Sequence, residues 1–119
     1  MDKINIEEKL SLIKDHWNPR IAGELNGQQI KLAKFKGEFI SHKHDNEDEM
    51  FLVLKGSFRM EMGDKSIEIK EGEFLIVPKG VEHKPVADEE VCVMLFEPAY
   101  TLNTGDKVNE YTRRNIEKI

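Results

Sequence analysis

The sequence predicts an all-β chain, an antiparallel sandwich or barrel behind a short N-terminal α-helix. Three observations predict it. Apolar residues recur at helical spacing only near the N-terminus. Beyond residue 20 the pattern changes to short runs that alternate or are wholly apolar. Turn signals separate several of those runs: Asn26-Gly27, Lys36-Gly37, Gly63-Asp64, Glu71-Gly72 and Pro78-Lys79-Gly80.

The helix is expected over residues 5–17, where Ile6, Leu10, Ile13 and Trp17 form one apolar stripe. Asn5 is its N-cap, with Glu8 as the reciprocal partner. Asn18-Pro19 ends it, because a residue before proline avoids helical backbone angles. Strands are expected over Gln29–Lys36, Phe39–His44, Met50–Lys55, Ser57–Met62, Ser66–Lys70, Glu73–Val77 and Val91–Glu97. Gly63-Asp64, between Phe58-x-Met60-x-Met62 and Ile67-x-Ile69, predicts a hairpin. The polar residues 99–119 read as a surface tail able to carry a short helix or an extra strand. With 119 residues the whole chain, 1–119, is expected to be a single domain with its barrel core over about 30–98.

Composition narrows the function. Eighteen basic against 23 acidic side chains leave a net charge of −5, which argues against partners that demand a basic surface, nucleic acid and anionic membrane. The single cysteine, Cys92, precludes an internal disulfide and any multi-cysteine metal site, and it reads as a buried small hydrophobe. No apolar stretch reaches the length of a signal peptide or a membrane span, so a cytoplasmic location is expected.

Three of the four histidines suggest chemistry. His42 and His44, two apart in an expected strand, send both rings to one face. An acidic loop, Asp45-Asn46-Glu47-Asp48, leads to Glu49, which a hairpin can bring back beside His44. A closed barrel would add His83, which follows the Pro78-Lys79-Gly80 turn. If Glu49 points inward, Phe51 and Val53 do too, while Met50, Leu52 and Leu54 point outward and need their own cover, from the helix or from a second subunit.

Together with their glycines these residues resemble the motifs of the cupin superfamily. The first motif reads Gly37, four residues, His42-Lys43-His44, four residues, Glu49, six residues, Gly56. The second reads Gly72, five residues, Pro78-Lys79-Gly80, two residues, His83. The gap before His42 is one residue shorter than usual, and Ala87 stands where the family often has asparagine. The resemblance implies a double-stranded β-helix of jelly-roll type, with His42, His44, Glu49 and His83 binding one divalent transition metal (Zn, Mn, Fe or Ni). It also implies a homodimer, as in other small cupins, and a small-molecule ligand in the barrel. The chain looks similar to stand-alone cupins described as mannose-6-phosphate-isomerase-like. That suggests a metal-dependent isomerase, epimerase or lyase acting on a polar carbonyl or sugar-like compound. The alternatives are an iron-dependent dioxygenase and a non-catalytic binding module. Phe35, Phe39, Phe51, Phe58, Met60, Met62, Phe74 and Phe96 are candidate pocket linings. Lys34, Lys55 and Arg59 are candidate anchors for an anionic substrate. No general base is identified; Glu82 and Glu97 are the nearest candidates along the sequence.

Overall fold

A computed structural model describes all 119 residues. Helix α1 (Ile6–Leu10) is followed by seven strands: β1 (Arg20–Leu25), β2 (Gln28–Glu38), β3 (Glu49–Lys55), β4 (Ser57–Met62), β5 (Lys65–Lys70), β6 (Phe74–Val77) and β7 (Lys84–Pro98). Every strand pairing is antiparallel. The main sheet runs β1-β2-β7-β3-β6, and β4 joins β5 to the first residues of β7. The long β7 therefore serves both halves: Arg59 to Glu61 pair with its start, and Met50 to Val53 pair with its end. This sharing of β7 curls the sheet into a jelly-roll barrel.

The hairpins follow their turn chemistry. Asn26 and Gly27 both have positive φ, 50° and 76°, as a type I′ turn requires, and they join β1 to β2. Gly63 has φ of 62° between Met62 and Lys65, the β4–β5 hairpin expected from the sequence.

Cross-strand rows fix the two faces of the main sheet. Lys31, Leu95, Phe51 and Leu75 stand in one row and face the barrel interior. Leu32, Met94, Leu52 and Phe74 form the next row and face outward. Phe35, Phe51, Phe58, Met60, Val53 and Val93 are buried in the inner core.

Three expectations need correction. The helix has five residues, not thirteen: Asn5 caps it through Glu8 N–H, but it ends at Ser11. Ile13 and Trp17 are buried from an irregular segment instead, and Trp17 adopts a left-handed φ of 59°. Its N–H donates to Lys34 O and its Nε1 to Lys36 O, each at 2.9 Å, so bonds to β2 replace the helical ladder. Phe39–His44 is not a strand either; it makes one isolated bridge, His42 to His83.

The last residues form more than a surface tail. Thr101 and Thr104 are buried. Asp106 N donates to Lys43 O at 3.0 Å, and Lys43 N donates to Asp106 Oδ1 at the same distance. Tyr111 stacks on Phe39, centroids 5.5 Å apart. The segment crosses the barrel mouth and then returns to β1, where Lys118 bridges Ile21 in parallel.

Candidate metal centre

His42, His44, Glu49 and His83 converge, each offering a ligand atom within 4.8 Å of the others, and all four are buried. Glu49 opens β3 with its side chain inward. The three histidines, all outside the strands, are placed by backbone bonds. His42 N donates to His83 O at 2.9 Å and His83 N to His42 O at 2.8 Å, which brings the two motifs together. Gly80 N donates to His44 O at 2.7 Å. The Pro78-x-Gly80 turn thus holds one ligand of the first motif while it leads to the last ligand of the second.

The ring orientations are set in the same way. His42 Nδ1 donates to Ile40 O at 2.8 Å, and His83 Nδ1 to Val81 O at 2.9 Å. A carbonyl oxygen only accepts, so the proton of each neutral ring sits on Nδ1, which leaves the Nε2 lone pair for the cluster. His44 Nε2 lies 2.8 Å and His83 Nε2 3.5 Å from Glu49 Oε1. Even so, these three buried atoms have no well-aligned hydrogen bond. Orphaned buried polar atoms are costly. Lone pairs gathered around one point are relieved by a cation, so this donor set suits a divalent metal of the transition series.

The electrostatics agree. Burial, reinforced by repulsion from His83, lowers the His42 pKa to about 4, so the ring stays neutral and able to ligate. Burial alone would raise the Glu49 carboxyl, but Glu97, His44 and His83 beside it hold it well below the usual range. Glu97 is pushed well above that range by burial and by the charge of Glu49. Of the two carboxyls that the sequence offered as candidate bases, Glu97 is the one at the site: its side chain lines the cleft, and its Oε1 accepts from the buried Lys31 Nζ at 2.8 Å. Lys31 lay hidden in the sequence because an isolated lysine in a strand reads as exposed. Glu82 lies outside the site, on the surface with Lys107.

A cleft leads to His42 and Glu49, walled by Trp17, Phe35, Phe39, Phe51 and Leu95, with Asn103 at its rim. Of the expected lining residues, Phe35, Phe39 and Phe51 are there. Phe58 and Met60 belong to the core, Met62 packs against that core, Phe74 is exposed, and Phe96 lies in the outward row. None of the expected anchors reaches the cleft. Lys34 bonds Ile13 O, Arg59 pairs with Glu61 and Asp88, and Lys55 is exposed at the end of β3. Trp17 was concealed by its fit to a helical stripe.

A jelly-roll barrel with a buried three-histidine, one-glutamate cluster defines a class, and the chain belongs to it: residues 30–97, more than half of its length, match the cupin domain family. It is 45% identical to a cupin-2 domain containing protein from Shewanella frigidimarina, with a TM-score of 0.79 over 80% of this chain and 93% of that one. Protein NMB1881 from Neisseria meningitidis is 31% identical, with a TM-score of 0.76 over 82% of this chain and 100% of that one. The Bacillus subtilis protein YdbB is 37% identical over 62 residues, 51% of this chain, and the match spans only 55% of that relative's length.

Proposed function

We propose that this cupin is a metal-dependent enzyme of the isomerase, epimerase or lyase type, and that a small carbonyl compound binds directly to a divalent transition metal held by His42, His44, Glu49 and His83. One observation carries this reading: the orphaned Nε2 and carboxylate atoms converge where an aromatic cleft reaches His42 and Glu49. A metal there supplies Lewis acidity to a carbonyl or enediolate oxygen. The chain supplies the rest. Backbone carbonyls fix the rings of His42 and His83, and the aromatic walls exclude water. Glu97 lines the same cleft, and its Oε2 has no protein partner, so it is the carboxyl placed to exchange a proton with a bound substrate.

A second reading, an iron-dependent dioxygenase on the same ligands, is favoured by those apolar walls. A non-catalytic ligand-binding module is the remaining outcome. We further propose a homodimer through the outer face of the main sheet, where Phe74 and Ile76 are exposed beside Met50, Leu52 and Phe96. Helix α1 covers only the β1–β2 end of that face: Ile4 and Ile6 line a groove there with Ile30 and Leu32. A cytoplasmic location is part of this proposal; no helix is long and apolar enough to cross a membrane.

The test is metal analysis of untagged protein purified without added metal, beside His83→Ala. The expected result is about one equivalent of transition metal in the wild type and less than about a tenth in the variant. Metal well below stoichiometry in both removes the two enzyme readings. With metal bound, proton exchange into a hydroxyketone in heavy water supports the isomerase or lyase reading, dioxygen uptake the oxygenase.

A further inference from the structure

The buried Lys31–Glu97 pair touches two pockets. Glu97 lines the cleft at His42 and Glu49, whereas Lys31 lines a second pocket that Glu97 does not reach. That second pocket opens between β1, β2 and the C-terminal segment that returns to β1. Its polar walls include Gln29, Lys31, Thr101, Arg113 and Arg114, and no aspartate or glutamate lines it. About 130 Å³ of it is wide enough for the centre of a water-sized atom. One water needs about 10–15 Å³ on that measure, so a small oxyanion fits.

The two arginines differ from the others in the chain. Acidic side chains outnumber basic ones, 23 to 18, so carboxylate partners abound. Arg20 pairs with Asp15 and Glu117, and Arg59 pairs with Glu61 and Asp88. Arg113 and Arg114 pair with no carboxylate, and both line this pocket. Arg113 Nη1 donates to Glu110 O at 2.9 Å and to Thr112 O at 3.2 Å, while its Nε and Nη2 hydrogens have no protein partner. Carboxylates on the same elements are engaged elsewhere: Glu24 with Gln29 and Lys118, Glu117 with Arg20.

The arginines are also held in place. Arg113 N donates to Asn103 Oδ1 at 2.9 Å, and Asn103 Nδ2 donates to Tyr111 O at 2.8 Å. Ile21 N donates to Glu117 O and Ile119 N to Ile21 O, each at 2.9 Å. Residues 113–116 are thus strung between two anchored points. Ile21, Leu102 and Ile116 place apolar surface beside the charges, where an ion pair is screened less than on an open surface. Tyr100 also lines the pocket, fully exposed and at a left-handed φ of 72° that a bulky residue rarely adopts.

We infer that this pocket is a binding site for a small oxyanion, a phosphate or carboxylate group, held by the unpaired guanidinium groups of Arg113 and Arg114 with Lys31 in its wall. Guanidinium N–H groups match the oxygens of such anions in pairs. Like charges around one pocket repel, and an anion between them relieves that repulsion. None of the proposed metal ligands lines this pocket, so the site stands or falls apart from the metal reading.

The test is amide-resolved NMR of the full chain as purified, titrated with inorganic phosphate and separately with acetate, against sodium chloride at matched ionic strength. The expected result is saturable shifts at Lys31, Thr101 and residues 113–116 with phosphate or acetate, and none with chloride. The tighter of the two names the class of anion. Arg113→Gln/Arg114→Gln should weaken binding at least about tenfold, because the charge-assisted bonds are lost. Four results overturn the inference: no saturable shift up to about 50 mM of either anion, the same shifts with chloride, shifts centred on His42 and His83 instead, or a variant that binds as tightly as the wild type. If the double variant does not fold, Arg114→Gln replaces it, since that side chain is exposed. A loss of at least about threefold is then expected, and unchanged affinity overturns the inference.

Discussion

Replacing Lys31 with methionine tests how the interior around the site is balanced. Lys31 is 2% exposed and its Nζ lies 2.8 Å from Glu97 Oε1, in a side chain that is itself 3% exposed. At an effective dielectric constant of about 20, full unit charges at that distance would attract by about 6 kcal/mol, an upper bound because burial and Glu49 push the Glu97 carboxyl up. Removing both ions from water costs several kcal/mol each, so the intact pair adds little net stability. Deleting one partner is different. In Lys31→Met the lost attraction has no counterpart, and the Glu97 carboxyl stays buried against Glu49. The expected loss is about 3–5 kcal/mol.

Urea unfolding in the presence of a chelator measures it, with the midpoint falling and the slope unchanged. The double variant Lys31→Met/Glu97→Leu removes both charges and leaves apolar groups of similar length. It is expected to return to within about 1 kcal/mol of the wild type. A single variant that loses less than about 1 kcal/mol would refute the reasoning, because Glu97 would then have to be solvated or relieved in another way. A double variant as unstable as the single one would show that packing, not charge, accounts for the loss.

Four further outcomes are expected. Gly105→Ala should destabilise the fold by more than about 2 kcal/mol and weaken metal uptake, read by thermal melts and calorimetry. The glycine has φ of 60°, and an added Cβ would overlap Lys43 O and come within 2.9 Å of His42 Cδ2. The wild type should scatter light as a dimer of the 13.8 kDa chain and Phe74→Glu/Ile76→Glu as a monomer; a monomeric wild type refutes the proposed interface. Burial raises the Cys92 thiol, so less thiolate is present at mildly alkaline pH than for a free cysteine, and alkylation should be slow until urea is added. Truncation after Pro98 should expose Phe39 and Trp17 and shift Trp17 emission to the red, because Tyr111 packs on both rings.

Much of the site was legible because its chemistry needs particular residues at spacings that the barrel imposes. His42, His44 and Glu49 flank one loop, and His83 follows a Pro-x-Gly turn whose glycine N–H holds His44. The face assignment of β3 was legible too: Glu49, Phe51 and Val53 are buried, while Met50, Leu52 and Leu54 are only partly so. Strand β1 was not. Arg20–Leu25 carries a glycine and a shifted register at Gly23 and lacks an alternating pattern, so only a turn signal, Asn26-Gly27, marked its end. Trp17 fitted a helical stripe because Ile13 and Trp17 are buried in either conformation, and periodicity records burial rather than backbone geometry.

Lys31 and Glu97 show why the remainder was out of reach. Glu97 was a candidate base only by its place along the chain, Lys31 sits in a strand where a charged residue reads as facing solvent, and their partnership spans 66 residues of sequence. Only the pairing of β2 with β7 brings them to neighbouring positions on the inner face. The same register sets Glu97 beside Glu49, because Phe96 pairs with Met50 one residue further in. The two carboxyl groups can stand side by side in a dry interior because Lys31 faces one and the proposed metal would face the other. Removing either cation should therefore leave the carboxyl it faced as the destabilising group, with the neighbouring carboxyl adding repulsion. In metal-depleted protein, Glu97→Gln should gain stability relative to its effect in metal-loaded protein.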